Sequence, residues 1–225
     1  MTSKSSCSFI NSVTKKQIMG VTGLLLCGFA LSHLLGNLTL LFGPEAFNKY
    51  SYTLTSNPLI YLAEAILGAI FLSHIGLAVR LVLENRAARP IPYAHPRKAS
   101  GRGATFASST MPISGLIMLV FLVVHIRGLK FGEYFETTVN DIVMRDMYRT
   151  TMEYFQDPLH VLFYIVAVLT LGLHTSHGFW SAFQSIGFNH PKYYLKLKKF
   201  SYAFGALIGI GFSALAIFCY VQGGN

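Results

Sequence analysis

Five long apolar runs, separated by shorter polar segments, organise the chain. They cover about residues 17–42, 59–83, 106–129, 158–184 and 200–221. At about 1.5 Å of rise per residue, each is long enough to cross a hydrocarbon core of about 30 Å with some tilt. The pattern predicts an all-α fold, a five-helix transmembrane bundle forming a single domain over residues 1–225. Local punctuation agrees with these limits. The first run stops at Gly43-Pro44, Pro112 lies in the first turns of the third, and Pro158 opens the fourth. The polar and aromatic segment 44–57 reads as a loop ending in Asn57-Pro58, and Pro90, Pro92 and Pro96 keep segment 84–105 non-helical. The longest connection, Lys130 to Asp157, has room for a short surface helix near 139–155. No repeat is evident at the level of sequence identity. The first run exceeds a signal-peptide core of roughly 7–15 residues and has no A-x-A site after it, so it is expected to stay as the first helix.

Composition supports the membrane reading. Of 225 residues, 52% are apolar and 12% charged, against about 25% charged in an ordinary soluble domain. The net charge of +9 does not point to nucleic acid, because the basic residues cluster in short segments beside apolar runs. Lys4, Lys15 and Lys16 precede the first run. Arg86, Arg89, Arg97, Lys98 and Arg102 follow the second, and Lys192, Lys196, Lys198 and Lys199 follow the fourth. These segments alternate with acidic or weakly basic ones. The bias predicts a cytoplasmic N-terminus and an outer, periplasmic C-terminus. Cys7, Cys27 and Cys219 show no metal-binding spacing, and the last two read as small buried apolar residues.

The chemistry lies in histidines placed where lipid disfavours them. His33, His74, His125 and His174 each sit inside a different apolar run. With the runs alternating in direction, His33 lies about 16 residues into an outward helix and His125 near the end of another, which puts both in the outer half of the membrane. His74 and His174 lie about 15–16 residues into inward helices, hence in the inner half. Two pairs at two depths, each drawn from two helices, suit two b-type haems held by two imidazoles apiece. Such iron has no open position and carries single electrons. A single intramembrane histidine could equally be an interhelical hydrogen-bond partner. His177 lies one turn after His174 on the same helix face, so spacing does not choose between them.

Several stretches resemble a known family. LSHLLGNLTL around His33, FLSHIGLAVR around His74, LVVHIRGLKF around His125 and LGLHTSHGFWSAFQSIG around His174 look like the cytochrome b anchor of succinate dehydrogenases and fumarate reductases, in its one-chain, five-helix, two-haem form. GPEAFNKYSYTL is similar to that family's first outer loop. The resemblance implies a subunit in a bacterial cytoplasmic membrane that passes electrons between an iron–sulfur partner and a quinone, with menaquinone the expected type. FAD and iron–sulfur clusters would belong to two partner subunits on the cytoplasmic face. It also implies that His74 and His174, rather than His177, ligate the haem proximal to those subunits, and that His33 and His125 ligate the distal one. One departure stands out: some two-haem fumarate reductases carry a glutamate where this chain has Gly172, which argues against that proton pathway here.

An outer quinone site draws attention to Glu64 and His160, both near the outer ends of their runs and both able to exchange protons. Arg80, Arg127 and Lys130 follow ligands closely and, with His177, are candidate haem-propionate contacts, although snorkelling at helix ends also places basic residues there. His95 and His190 precede prolines in inner loops and are expected at a subunit interface or in solvent. Competing expectations are a two-haem anchor of a hydrogenase or formate dehydrogenase, which should lack the LHTSHGFWSAFQ stretch, and a haem-free membrane transporter.

Overall fold

The computed structural model describes residues 11–88, 109–188 and 190–223. Helix α1 (Ser12–Asn37) tightens into a 3₁₀ turn at Leu38–Phe42, and α2 (Pro44–Thr55) and α3 (Leu59–Ala87) follow. Helix α4 (Met111–His125) widens into a π turn at Ile126–Lys130. Then come strands β1 (Glu136–Val139) and β2 (Ile142–Arg145), and helices α5 (Met147–Tyr154), α6 (Pro158–Ser185) and α7 (Pro191–Gly223). Five of these, α1 and α4 with their terminal turns, α3, α6 and α7, are long and apolar enough to cross a membrane. The polar residue before a run fixes several starts. Asn11 accepts from the Thr14 N–H, Asp146 from that of Arg149, and Asp157 from that of Leu159, each satisfying a backbone donor of the first turn.

Three features depart from the sequence expectation. Segment 44–57 is not a loop: Pro44 starts α2, which buries Phe47 and Asn48. Its polarity reflects its place at the end of the bundle rather than a lack of helix. Helix α7 starts at Pro191 instead of near residue 200, because nothing in the Lys192–Lys199 stretch breaks a helix once Pro191 has opened it. The connection after α4 holds an antiparallel hairpin as well as a helix, so the chain is mostly rather than wholly helical. Its register pairs Glu136 with Arg145 and Val139 with Ile142. Asn140 and Asp141 make the two-residue turn with φ of 51° and 62°, the backbone that a tight hairpin demands and that Asn and Asp tolerate. The start of the third run at residue 106, the N-terminal tail with Lys4 and Cys7, and the segment with Arg89, His95, Arg97, Lys98 and Arg102 lie outside the described residues.

Helix α2, the hairpin and α5 form a cap over one end of the bundle. Asn48, 1% exposed, ties it together. Its Nδ2 donates to Asp146 Oδ1 at 2.8 Å, and its Oδ1 accepts from the Tyr148 N–H at 2.9 Å. Arg145 donates to the carbonyls of Lys130 (2.7 Å) and Leu129 (3.2 Å), which α4 leaves unpaired as it ends. Burial holds that guanidinium's pKa below its ordinary value, so its charge is maintained against a desolvation cost. Beneath the cap, Leu40, Phe47, Met152, Phe155, Val161, Tyr164, Ala216 and Cys219 form one apolar core. Charge divides sharply between the ends. Eight of the nine acidic residues lie on or beside the cap; the ninth, Glu84, is at the opposite end, among Lys15, Lys16, Arg80, Arg86 and the lysines of α7.

Helices α6 and α7 approach most closely where glycines meet. A methyl group on Gly172 would stand 2.6 Å from the Gly205 carbonyl oxygen and 3.2 Å from Gly209 Cα. Ser201 Oγ donates to the Ser176 carbonyl at 2.5 Å in the same seam. Small residues let backbones pack directly in a membrane, where dispersion replaces the hydrophobic effect as the driving force. Gly172→Ala should therefore destabilise the chain by about 1–3 kcal/mol through overpacking. Thermal unfolding in detergent would read this as a lower midpoint, and an unchanged midpoint would mean that the seam is looser than described.

Candidate functional site

Two of the four intramembrane histidines meet directly. His33 of α1 and His125, the last residue of α4, have ring centroids 5.8 Å apart with planes at 85°. Phe29 stacks on His33 at 5.4 Å, and Phe121 lies 5.4 Å from His125. Tyr164 Oη is 3.4 Å from His125 Nδ1. Asn37 Nδ2 donates to the His33 carbonyl at 2.8 Å and lies 3.4 Å from its ring nitrogens.

His74 of α3 faces the start of α1. Its Nδ1 is 3.1 Å from Thr22 Oγ1, and a methyl on Gly23 would stand 3.3 Å from its Cε1. His174 of α6 faces the start of α4. Its Nδ1 is 2.9 Å from Ser114 Oγ, and a methyl on Gly115 would stand 3.9 Å from its Cε1. His177 does something different: its ring meets Trp180 edge-on at 5.2 Å on its own helix. The two histidines that spacing left equivalent are thus separated by what they face.

Helix rise places these contacts at two levels. Thr22 to His33 is eleven residues, and Ser114 to His125 is also eleven, or about 16 Å along each helix. Tyr164, which faces His125, precedes His174 by ten residues, about 15 Å along α6. All three intervals agree that His33 and His125 share a level near the cap and that His74 and His174 share one nearer the opposite end.

The matched intervals expose a repeat carried by a few scattered positions. A constant offset of 92 residues relates Thr22 to Ser114, Gly23 to Gly115, His33 to His125 and Gly36 to Gly128. An offset of 100 relates Pro58 to Pro158, Leu59 to Leu159 and His74 to His174. Each half is a spanning helix, a short cap helix and a returning helix. In both halves the glycine one turn after the first histidine gives way to a cap tyrosine: Tyr50 lies against Gly36 and Tyr154 against Gly128. Each level takes the equivalent histidine from each half.

The spacing of His33 and His125 is compatible with a b-type haem between them. Two metal–imidazole bonds of about 2 Å each, plus the ring radii, come to roughly 6 Å between centroids, close to the 5.8 Å between His33 and His125. Gly28, Gly68, Gly76 and Gly178, on the histidine-bearing helices, have no neighbour where a Cβ would stand. Among the described residues no three of His, Cys, Asp and Glu converge on one point. A haem asks the protein only for two axial ligands, whereas a structural zinc site needs four.

The remaining candidates fall into two places. A cleft of about 560 Å³ opens beside the end of α4, lined by Arg127, Glu133, Thr150, Glu153, Tyr154 and His160 among others. His160 stacks on Tyr154 at 4.1 Å and 6°, and its Nδ1 donates to the Tyr154 carbonyl at 3.0 Å. Its Nε2 is thereby left as the proton acceptor. Glu64 does not line the cleft; it forms an ion pair with Lys130. Arg80 is likewise engaged, with Glu84 at 3.0 Å, and Glu84 also takes buried Lys15 at 2.5 Å. Of the predicted propionate contacts, Arg80 and Lys130 therefore have carboxylate partners, and Arg127 faces the cleft. The Thr22 and Ser114 hydroxyls went unnoticed in the sequence, although each lies eleven residues before a histidine.

Gly36→Ala and Gly128→Ala should each displace the tyrosine packed on it, at about 1–3 kcal/mol apiece. Because the two contacts belong to separate halves, the double variant's loss should equal the sum of the single losses within about 0.5 kcal/mol. Strong non-additivity in chemical unfolding would show that the halves do not pack independently. No protein-family model, curated protein or solved structure matches the chain, so a functional reading stands on these residues alone.

Proposed function

We propose that this chain is the membrane anchor and electron-transfer subunit of a succinate:quinone oxidoreductase or quinol:fumarate reductase. The observation that carries the proposal is the His33–His125 contact, together with His74 and His174 facing equivalent hydroxyls of the two halves about 16 Å further along the helices. His33 and His125 hold one b haem, and His74 and His174 hold the other. A haem with two imidazole ligands supplies one-electron transfer and has no open position for oxygen. The stretches around these residues resemble the succinate dehydrogenase and fumarate reductase anchors, and that likeness selects this complex over a hydrogenase or formate dehydrogenase.

The positive-inside rule puts the basic end, with Lys15, Lys16 and the α7 lysines, in the cytoplasm and the acidic cap outside. Flavoprotein and iron–sulfur partners dock on the basic end, near His74 and His174. The quinone, in our reading menaquinone, lies at the other end, in the cleft beside His125. Its volume is in the range of pockets that take a small organic ligand. Reducing a quinone consumes two electrons and two protons. His160 Nε2 is placed to exchange a proton, and Arg127 to donate a hydrogen bond to a ring oxygen. Glu64, paired with Lys130 at the same end, lies outside the cleft lining and serves as a secondary proton group.

His33→Ala should leave one haem per chain and the inner haem's spectrum intact. Loss of both, or of neither, contradicts the pairing. Sidedness has its own check. Glu153→Cys should react with a membrane-impermeant maleimide applied to intact spheroplasts, whereas Lys196→Cys should react only after permeabilisation. The reverse pattern overturns the orientation.

A further inference from the structure

We propose that Thr22 and Ser114 are positioning residues that hold His74 and His174 in the tautomer able to bind iron through Nε2. The inference rests on the reading of these histidines as haem ligands. A hydroxyl has one hydrogen to donate and two lone pairs to accept with. Ser114 Oγ gives its hydrogen to the Met111 carbonyl at 3.0 Å, and Thr22 Oγ1 gives its own to the Ile18 carbonyl at 2.9 Å, with Met19 O at 3.1 Å. With the hydrogen committed to the helix backbone, each oxygen faces its imidazole as an acceptor only. The ring nitrogens at 2.9 Å and 3.1 Å therefore carry the proton. In a neutral imidazole one nitrogen donates and the other accepts, so Nε2 keeps its lone pair.

Two features argue against coincidence. The same device occurs twice, from positions related by the 92-residue offset, and each time a glycine follows the hydroxyl residue; at Gly23 a Cβ would crowd the ring at 3.3 Å. It is also confined to one level. At the His33–His125 level the partners of Nδ1 are Asn37 and Tyr164 at 3.4 Å, beyond the 2.7–3.2 Å of an ordinary N–H···O bond. An acceptor on Nδ1–H fixes the ring and raises its basicity as a ligand. A more basic ligand favours ferric over ferrous iron, so removing the acceptor should raise the midpoint potential of the inner haem alone.

The test is potentiometry on the purified full-length chain, following the haem absorbance. The His33→Ala chain, which keeps the inner haem, assigns the steps. Ser114→Ala removes the acceptor outright and is the decisive variant; Thr22→Val preserves shape and removes the hydroxyl, but the Met19 carbonyl also stands as a backbone acceptor for His74, so its shift should be the smaller. Each should keep two haems and shift the inner haem's reduced-to-oxidised ratio several-fold toward reduced, where tenfold corresponds to about 59 mV for one electron. Ser114→Thr should restore the original value. If Ser114→Ala loses the inner haem instead, Ser114→Thr must keep it at the original potential. No shift, a fall, an equal shift at both haems, or failure of Ser114→Thr to rescue overturns the proposal. A wild-type chain without b haem sinks the ligand reading itself, before any variant is measured.

Discussion

An imidazole inside a hydrocarbon layer must have partners for both of its nitrogens, since lipid offers neither donor nor acceptor. The bundle meets this demand by halves. At the lower level the protein satisfies Nδ1 with a hydroxyl whose own hydrogen is already committed, on Thr22 and on Ser114. At the cap level Nδ1 of His33 has only the Asn37 amide nitrogen, a donor, at 3.4 Å, and Nδ1 of His125 has the Tyr164 hydroxyl at 3.4 Å, among the described residues. In the proposed role, iron takes the other nitrogen. The placement of α1 against α3 and of α4 against α6 follows from bringing each ring to its partner.

A repeated unit accounts for how four histidines come to lie at two levels. Each half sends a helix up, turns through a short amphipathic helix and returns, so its two histidines land at different levels. Placing two such halves face to face pairs equivalent residues. Helix α7 falls outside the repeat. It grips α6 through Gly172, Gly205 and Gly209, and Gln156 reaches the Cys219 carbonyl at 3.1 Å, anchoring its far end to the cap. Gly172 thereby has a packing reason of its own. A larger side chain there would be driven into the backbone of α7.

Much of this was legible in the residues. Apolar run lengths placed the five spans, since the need to cross a fixed thickness leaves little freedom. Alternating direction with histidine depth paired His33 with His125 before any coordinates. The cap was harder. Helix α2 is short and polar, and its stability comes from Asn48 meeting Asp146 and Tyr148, about a hundred positions away, which no local pattern reports. The hairpin's Asn140-Asp141 turn was a recognisable signal, overlooked because a helical pattern was expected across it. The repeat escaped because the residues its halves share are few and scattered. Glu64 showed the limit of reading by depth: its level was suitable, but its partner is Lys130 and the cleft lies beside His160.

The central claim is that these four histidines bind two b haems. The most direct measurement is haem content and a dithionite-reduced minus oxidised spectrum of the purified wild-type chain. Two haems per chain, with b-type bands and no spectral change on adding carbon monoxide, is the predicted result, because imidazoles would fill both coordination positions that carbon monoxide could take. A chain without b-type bands, or one whose reduced spectrum shifts fully with carbon monoxide, would contradict it.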